Sequence, residues 1–128
     1  MSNSIAEALQ RFSSEEFLIV VDDDDRENEG DLIMAASACT TEQMAFIIRH
    51  TSGVVCVPME GEDLDRLHLP PMTNINEDRK GTAYSVSVDA RDGISTGISA
   101  ADRALTARLL ADSATGPTQI TRPGHVFP

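Results

Sequence analysis

Residues 22–31 read D-D-D-D-R-E-N-E-G-D, and seven of these ten side chains are carboxylates, with Arg26 alone among them. Like charges held this close cannot all stay ionised without a cation, a shared proton or strong hydrogen bonds nearby. A hard divalent metal meets that need, since Mg²⁺ takes one or two protein carboxylates and keeps waters that a substrate can replace. A solvated acidic loop is the plainer alternative. Position favours function, because the run leaves the apolar strand-like segment F-L-I-V-V at residues 17–21, and α/β and α+β sheets place ligands at strand ends. A calcium loop is excluded. With Gly30 as its invariant glycine, Asp25, Glu27 and Glu29 take the first, third and fifth positions, but the twelfth, which requires a bidentate Glu, falls on Ala36.

Two further groups could do chemistry. Thr96-Gly97-Ile98-Ser99 leads into a helix start at Ala100, where free N–H groups and the helix dipole favour an anion. Arg122-Pro123-Gly124-His125 sets a histidine three residues after an arginine; such a histidine is either an acid/base group or a structural one. His50 and His68 read as surface or loop residues. Together these parts sketch metal-assisted proton transfer on a phosphorylated sugar-like substrate, with carboxylates moving protons and Arg26 offsetting substrate charge.

The elements that must position these groups follow from periodicity and punctuation. Ile5, Leu9 and Phe12 share one face of a short helix over residues 4–12, with Ser4 as N-cap. Residues 17–21 predict a buried strand, the acidic run turns, and residues 32–36 return as a second strand. Thr40 and Gln43 make a capping box for a helix over residues 41–50 whose apolar face holds Met44, Ala45, Ile47 and Ile48. Residues 54–57 predict another buried strand and residues 61–67 a short helix. Pro70-Pro71 forces a loop, and residues 73–81 are polar and read as an exposed, mobile loop. Tyr84, Val86 and Val88 alternate with Ser85, Ser87 and Asp89 in a half-exposed strand. Ser99 caps a helix over residues 100–110 with Leu105, Leu109 and Leu110 inward. The apolar ending V-F-P follows a Pro-Gly turn as though a strand or a domain half should continue.

Composition bounds the partners. The 128 residues amount to a single domain, with 41% hydrophobic and 24% charged residues, an ordinary globular balance. Ten Lys+Arg against 21 Asp+Glu give a net charge of −11, so no basic surface suits nucleic acid or an anionic membrane. Cys39 and Cys56 lie in apolar surroundings with no signal peptide or membrane run before them, the pattern of reduced cytoplasmic thiols. Cys56 reads as a small core residue, with a reactive role as the alternative.

The run D-D-D-R-E-N-E-G-D with L-I-M-A-A, then R-H-T-S-G-V-V-C-V, L-P-P-M, G-T-A-Y-S-V-S-V-D, T-G-I-S-A-A-D-R and T-R-P-G-H-V-F-P, resembles 3,4-dihydroxy-2-butanone 4-phosphate synthase of riboflavin biosynthesis, collinearly over nearly the whole chain. The resemblance implies a lyase that converts D-ribulose 5-phosphate to L-3,4-dihydroxybutan-2-one 4-phosphate and formate with Mg²⁺ or Mn²⁺. It implies that Arg26 and Glu27 contact substrate, that Glu27 binds metal, and that Glu29 and Asp31 act as acid/base or substrate-contacting groups. His125 matches the family's essential histidine, Gly30 is expected to let the acidic loop turn tightly, and Cys56 falls at a position lining the site. The implied fold is α+β, a mixed sheet with surrounding helices, assembled as a homodimer with active sites at the subunit interface. Family members continue after G-H-V-F-P with R-x-G-H-T-E-A, which carries a second metal ligand and phosphate contacts, and with a later catalytic Glu; this chain holds none of these. It therefore reads as one synthase-like domain without its C-terminal part. Beside the enzyme stands an alternative, a non-catalytic fragment or binding module that needs the missing segment for activity.

Overall fold

The computed structural model describes residues 4–128. Helix α1 spans Ile5–Ser13, strands β1 and β2 span Leu18–Val21 and Gly30–Ile33, and α2 spans Thr41–His50. Helix α3 follows at Gly61–Arg66, β3 at Val88–Ala90, α4 at Ala100–Ala111 and β4 at Ile120–Val126, with single 3₁₀ turns at Ala36–Ala38 and Pro117–Gln119. Local sequence sets the helix starts. The Ser4 side chain accepts the Glu7 N–H, that of Ser99 accepts the Asp102 N–H, and Thr40 with Gln43 forms the expected reciprocal box.

Helix α4 is the centre of the core. It packs against α2, β3, β4 and the first 3₁₀ turn, and surrounds itself with Cys39, Met44, Val55, Val57, Leu67, Leu69, Val88, Ile120 and Val126. Its inward residues differ from those expected. Asp102, Arg103, Ala104, Thr106, Ala107 and Leu110 are buried, whereas Leu105 and Leu109 are half-buried. A helix covered on several sides has no single apolar stripe, so leucine spacing misreads its inner face. The buried hydroxyl of Thr106 is satisfied twice over: Oγ1 accepts the Ala90 N–H at 2.9 Å and donates to the Asp102 carbonyl at 3.0 Å.

The α+β reading holds, and the sheet is in two parts. β1 and β2 form an antiparallel hairpin, and β3 and β4 a second antiparallel ladder. Outside these strands lie two isolated bridges, a parallel one from Cys56 to Phe127 and an antiparallel one from Pro71 to Ser85, so the strands themselves pair only antiparallel where a mixed sheet was expected. Residues 54–57, expected as a buried strand, contribute only that bridge, with Val55 and Val57 inward and Cys56 outward.

The β1–β2 hairpin corrects a second expectation. Its apolar run is a strand, yet Ile19 is 77% and Val21 71% exposed, and α1 beside it buries no residue at all. A continuous apolar run shows that a surface avoids water without showing what covers it. The return strand also starts earlier than expected: Val21 pairs with Gly30 and Leu18 with Ile33, which puts Asp31 in β2 and limits the acidic loop to residues 22–29. Of the half-exposed strand expected over residues 84–89, only Val88 and Asp89 fall in β3, whose three residues are all buried; before it Tyr84 is exposed, Ser85 buried, and Val86 and Ser87 half-buried.

Candidate active site

The acidic loop is stapled by its first residue. Asp22 accepts the Glu27 N–H at 3.0 Å on one oxygen and the Glu29 N–H at 3.1 Å on the other. These bonds, that from Glu27 foremost, hold its carboxyl below the usual carboxylate range. Asp22 is thus spent on loop shape, while Arg26, Glu27, Glu29 and Asp31 are exposed. The tight turn lies at Asn28, whose φ is 50°. Gly30 is extended in β2, where a Cβ would meet Ile19 and Val21 at ordinary contact distance, so the expectation that Gly30 makes the turn is not met.

The polar loop over residues 73–81 is exposed but well tied. Asp78 accepts the Thr82 N–H at 2.8 Å, the Asn76 amide donates to the Thr82 carbonyl at 3.0 Å, and Lys80 Nζ donates to the Arg26 carbonyl at 2.6 Å. That last bond sets a second cation against the acidic loop, 54 residues away in sequence. Cys56, contrary to expectation, is exposed. Surrounding protein desolvates its thiol and pushes it up, the neighbouring Tyr84 hydroxyl opposes this, and the charge of Asp31 adds to it. Tyr84 is raised chiefly by Cys56, with Asp78 and Glu27 as further negative neighbours. The hairpin end, Cys56, Tyr84 and the polar loop therefore share one neighbourhood.

His125 stands on a bulge. Val126 pairs with Val88 and Thr121 with Asp89, so residues 122–125 loop out between two adjacent residues of β3. Extra residues on one strand re-aim side chains, and Pro123, with no N–H, loses nothing by leaving the ladder. The freed N–H groups find partners: that of Gly124 donates to Ser87 Oγ at 3.1 Å and that of His125 to Asp89 Oδ1 at 2.8 Å. The ring nitrogen Nδ1 lies 2.9 Å from Asp89 Oδ2, with side-chain exposures of 40% for His125 and 8% for Asp89. Asp89 is the residue that the sequence reading missed. Its alternation with Val88 marked it as outward, although a carboxylate ending a V-S-V-D strand just before a turn was the available signal. Arg122 takes no part in the pair. Its guanidinium donates to the Leu67, His68 and Pro117 carbonyls and fastens the bulge to the end of α3.

The expected anion site at the start of α4 is filled from within. Asp102 accepts the Ser95 and Gly97 N–H groups at 3.2 and 2.9 Å and the Ser95 hydroxyl at 2.8 Å. The Ser95 hydroxyl foremost holds this carboxyl below its ordinary range. With a carboxylate already receiving these donors, the turn over residues 95–99 locks the helix start instead of offering it to a phosphate.

Hard oxygen donors are thus gathered on the hairpin end, and a carboxylate-backed imidazole sits on β4. Among the described residues no three His, Cys, Asp or Glu side chains converge as a ready metal site, and no helix is long and apolar enough to cross a membrane. The family model described as 3,4-dihydroxy-2-butanone 4-phosphate synthase matches residues 6–128. The 3,4-dihydroxy-2-butanone 4-phosphate synthase of Schizosaccharomyces pombe is 57% identical over 129 residues, covering 100% of this chain and 63% of its own. The riboflavin biosynthesis protein RibBA of Nocardia farcinica is 60% identical over 126 residues, covering 98% of this chain and 30% of its own. A crystal structure of 3,4-dihydroxy-2-butanone 4-phosphate synthase in complex with two magnesium ions superposes with a TM-score of 0.98 at 52% identity, covering 99% of this chain and 59% of that one. The chain accordingly spans less than two thirds of the length of each of these relatives.

Proposed function

The chain belongs to the 3,4-dihydroxy-2-butanone 4-phosphate synthase family, and from that premise we propose that it carries the acidic loop and essential histidine of a lyase converting D-ribulose 5-phosphate to L-3,4-dihydroxybutan-2-one 4-phosphate and formate. The observation that carries this reading is the imidazole of His125, half-exposed against the buried carboxylate of Asp89, in a chain that matches the family over residues 6–128. A neutral imidazole so held can accept a proton at its outer nitrogen and return it.

The remaining roles fall to the hairpin end. The exposed oxygens of Glu27, Glu29 and Asp31 are the donors a hard divalent cation prefers, and the magnesium-bound relative supports a divalent metal. Glu27 would hold Mg²⁺ or Mn²⁺, which when bound polarises the substrate carbonyl. Glu29 and Asp31 move protons on the sugar carbons. Arg26 and Glu27 contact the substrate, the Arg26 guanidinium countering phosphate charge in a chain of net charge −11.

We take the 128 residues as one domain, working in the cytoplasm as a homodimer without nucleic-acid or membrane partners. Two free cysteines and the strongly acidic balance support the compartment and the excluded partners, and the exposed apolar hairpin supports association. A second reading, a binding module that needs further polypeptide to turn over, is favoured by the lack of three converging metal ligands among the described residues. Formate release from D-ribulose 5-phosphate separates the two. The lyase reading expects Mg²⁺-dependent formate that EDTA and Glu27→Ala each abolish. Substrate binding without formate at any metal concentration supports the module, and formate unchanged in Glu27→Ala contradicts the metal assignment.

A further inference from the structure

We propose that Lys80 is a positioning residue of the acidic loop, clamping the peptide that joins Arg26 to Glu27 and so fixing where those two side chains reach; the proposal rests on Arg26 and Glu27 being the substrate- and metal-contacting groups. Lys80 is the only lysine among the ten Lys+Arg of the chain. Its Nζ donates to the Arg26 carbonyl at 2.6 Å, and a charged donor makes a shorter, stronger bond than a neutral one. The Glu27 N–H, which belongs to the same peptide group, donates to Asp22 at 3.0 Å. A peptide group is planar, so a grip on its oxygen from one side and on its hydrogen from the other stops it from rotating. Asp22 alone would hold one end only.

Both partners are tied down before they meet. The Gly81 N–H closes a turn over residues 78–81 onto the Asp78 carbonyl at 3.0 Å, with Gly81 at a φ of +71°. Asp78 in turn accepts the Thr82 N–H at 2.8 Å and donates its own N–H to the Asn76 side chain at 2.9 Å. Across the gap, the Arg26 N–H closes a turn onto the Asp23 carbonyl at 2.9 Å, and Asp22 also takes the Glu29 N–H. The bond from Lys80 therefore orders little beyond the lysine side chain itself, and it transmits the position of one fixed turn to the other.

Charge and position predict opposite signs. As a bare charge beside the loop, Lys80 repels a divalent cation, so its removal would tighten metal binding. As a clamp, its removal frees the peptide before Glu27 and weakens binding; groups that orient a metal ligand contribute about 10–100-fold in affinity. The test is the Mn²⁺ affinity of the 128-residue chain, read from the EPR signal of free Mn²⁺, for wild type, Lys80→Met and Lys80→Arg, together with amide hydrogen exchange of Glu27 in the metal-free proteins. Lys80→Met is expected to bind Mn²⁺ about 10-fold or more weakly and to exchange the Glu27 N–H faster, while Lys80→Arg, which keeps the charge and the donors, stays close to wild type in both. Unchanged or tighter Mn²⁺ binding in Lys80→Met, or unchanged Glu27 exchange, overturns the proposal. So does a lowered unfolding temperature in Lys80→Met with an affinity loss that Lys80→Arg shares, which marks a merely structural side chain. If the wild type binds no Mn²⁺, or Glu27→Ala binds it equally well, the metal assignment falls and the exchange alone decides: faster in Lys80→Met supports the clamp, and unchanged overturns it.

Discussion

Gly97 shows how much of this site depends on one missing methyl group. Its φ of +96° already disfavours any other residue, and a Cβ there would strike the Asp89–His125 pair. Gly97→Ala is expected to lower stability by about 1–3 kcal/mol, read as a shifted urea midpoint, and to cost formate release more than the stability loss accounts for, because His125 must move. Asp102 carries a second consequence. Its carboxyl is held below the ordinary range by Ser95 and by the Gly97 N–H, so the folded state favours the charged form. A depressed folded value contributes stability that is present above the unfolded value of about 3.9 and is lost as pH falls through the folded one. Thermal unfolding followed from about pH 6 to about pH 2 should show an acid limb that flattens in Asp102→Asn; an unchanged limb would remove Asp102 as its source. The residues 96–99 were legible as a glycine turn before a helix, but not as a turn already occupied by an internal carboxylate, since the sequence does not reveal that Asp102 folds back onto Ser95.

At the scale of elements, what was legible followed sequence distance. The capping box at Thr40 and Gln43 and the N-caps at Ser4 and Ser99 rest on residues three apart, and all three are where the sequence places them. The bulge at residues 122–125 depends on pairing with β3, more than thirty positions away, and a local pattern cannot report it. Burial of β3 and α4 was hidden for the same reason. Their covering elements come from several parts of the chain, and Thr106 looks like an ordinary helix residue until its hydroxyl is found bonding the Ala90 N–H. Thr106→Val keeps the shape and leaves that buried N–H without a partner. A loss of about 1–3 kcal/mol is expected, measured by chemical denaturation; a change within a few tenths of a kcal/mol would mean that the bond contributes nothing net.

For the whole molecule, an acidic hairpin that exposes Ile19 and Val21 sits beside a core built around α4. The acidic loop, the polar loop and the β4 bulge are each fixed by their own hydrogen bonds. The apolar run was readable as strand but its exposure was not, because hydrophobicity records an aversion to water and leaves the covering surface open. As a homodimer contact, that face should fail when charged. Ile19→Asp with Val21→Asp is expected to shift sedimentation equilibrium toward monomer with little change in unfolding midpoint, while an unaltered association state would place the contact elsewhere. The central claim is that the carboxylate-backed histidine on β4 performs acid/base chemistry in a metal-dependent lyase. The most direct measurement is the rate of formate release from D-ribulose 5-phosphate with Mg²⁺, comparing the wild-type chain with His125→Ala. Release by the wild type that falls by about 100-fold or more in the variant is the predicted result, and equal rates in the two proteins would contradict it.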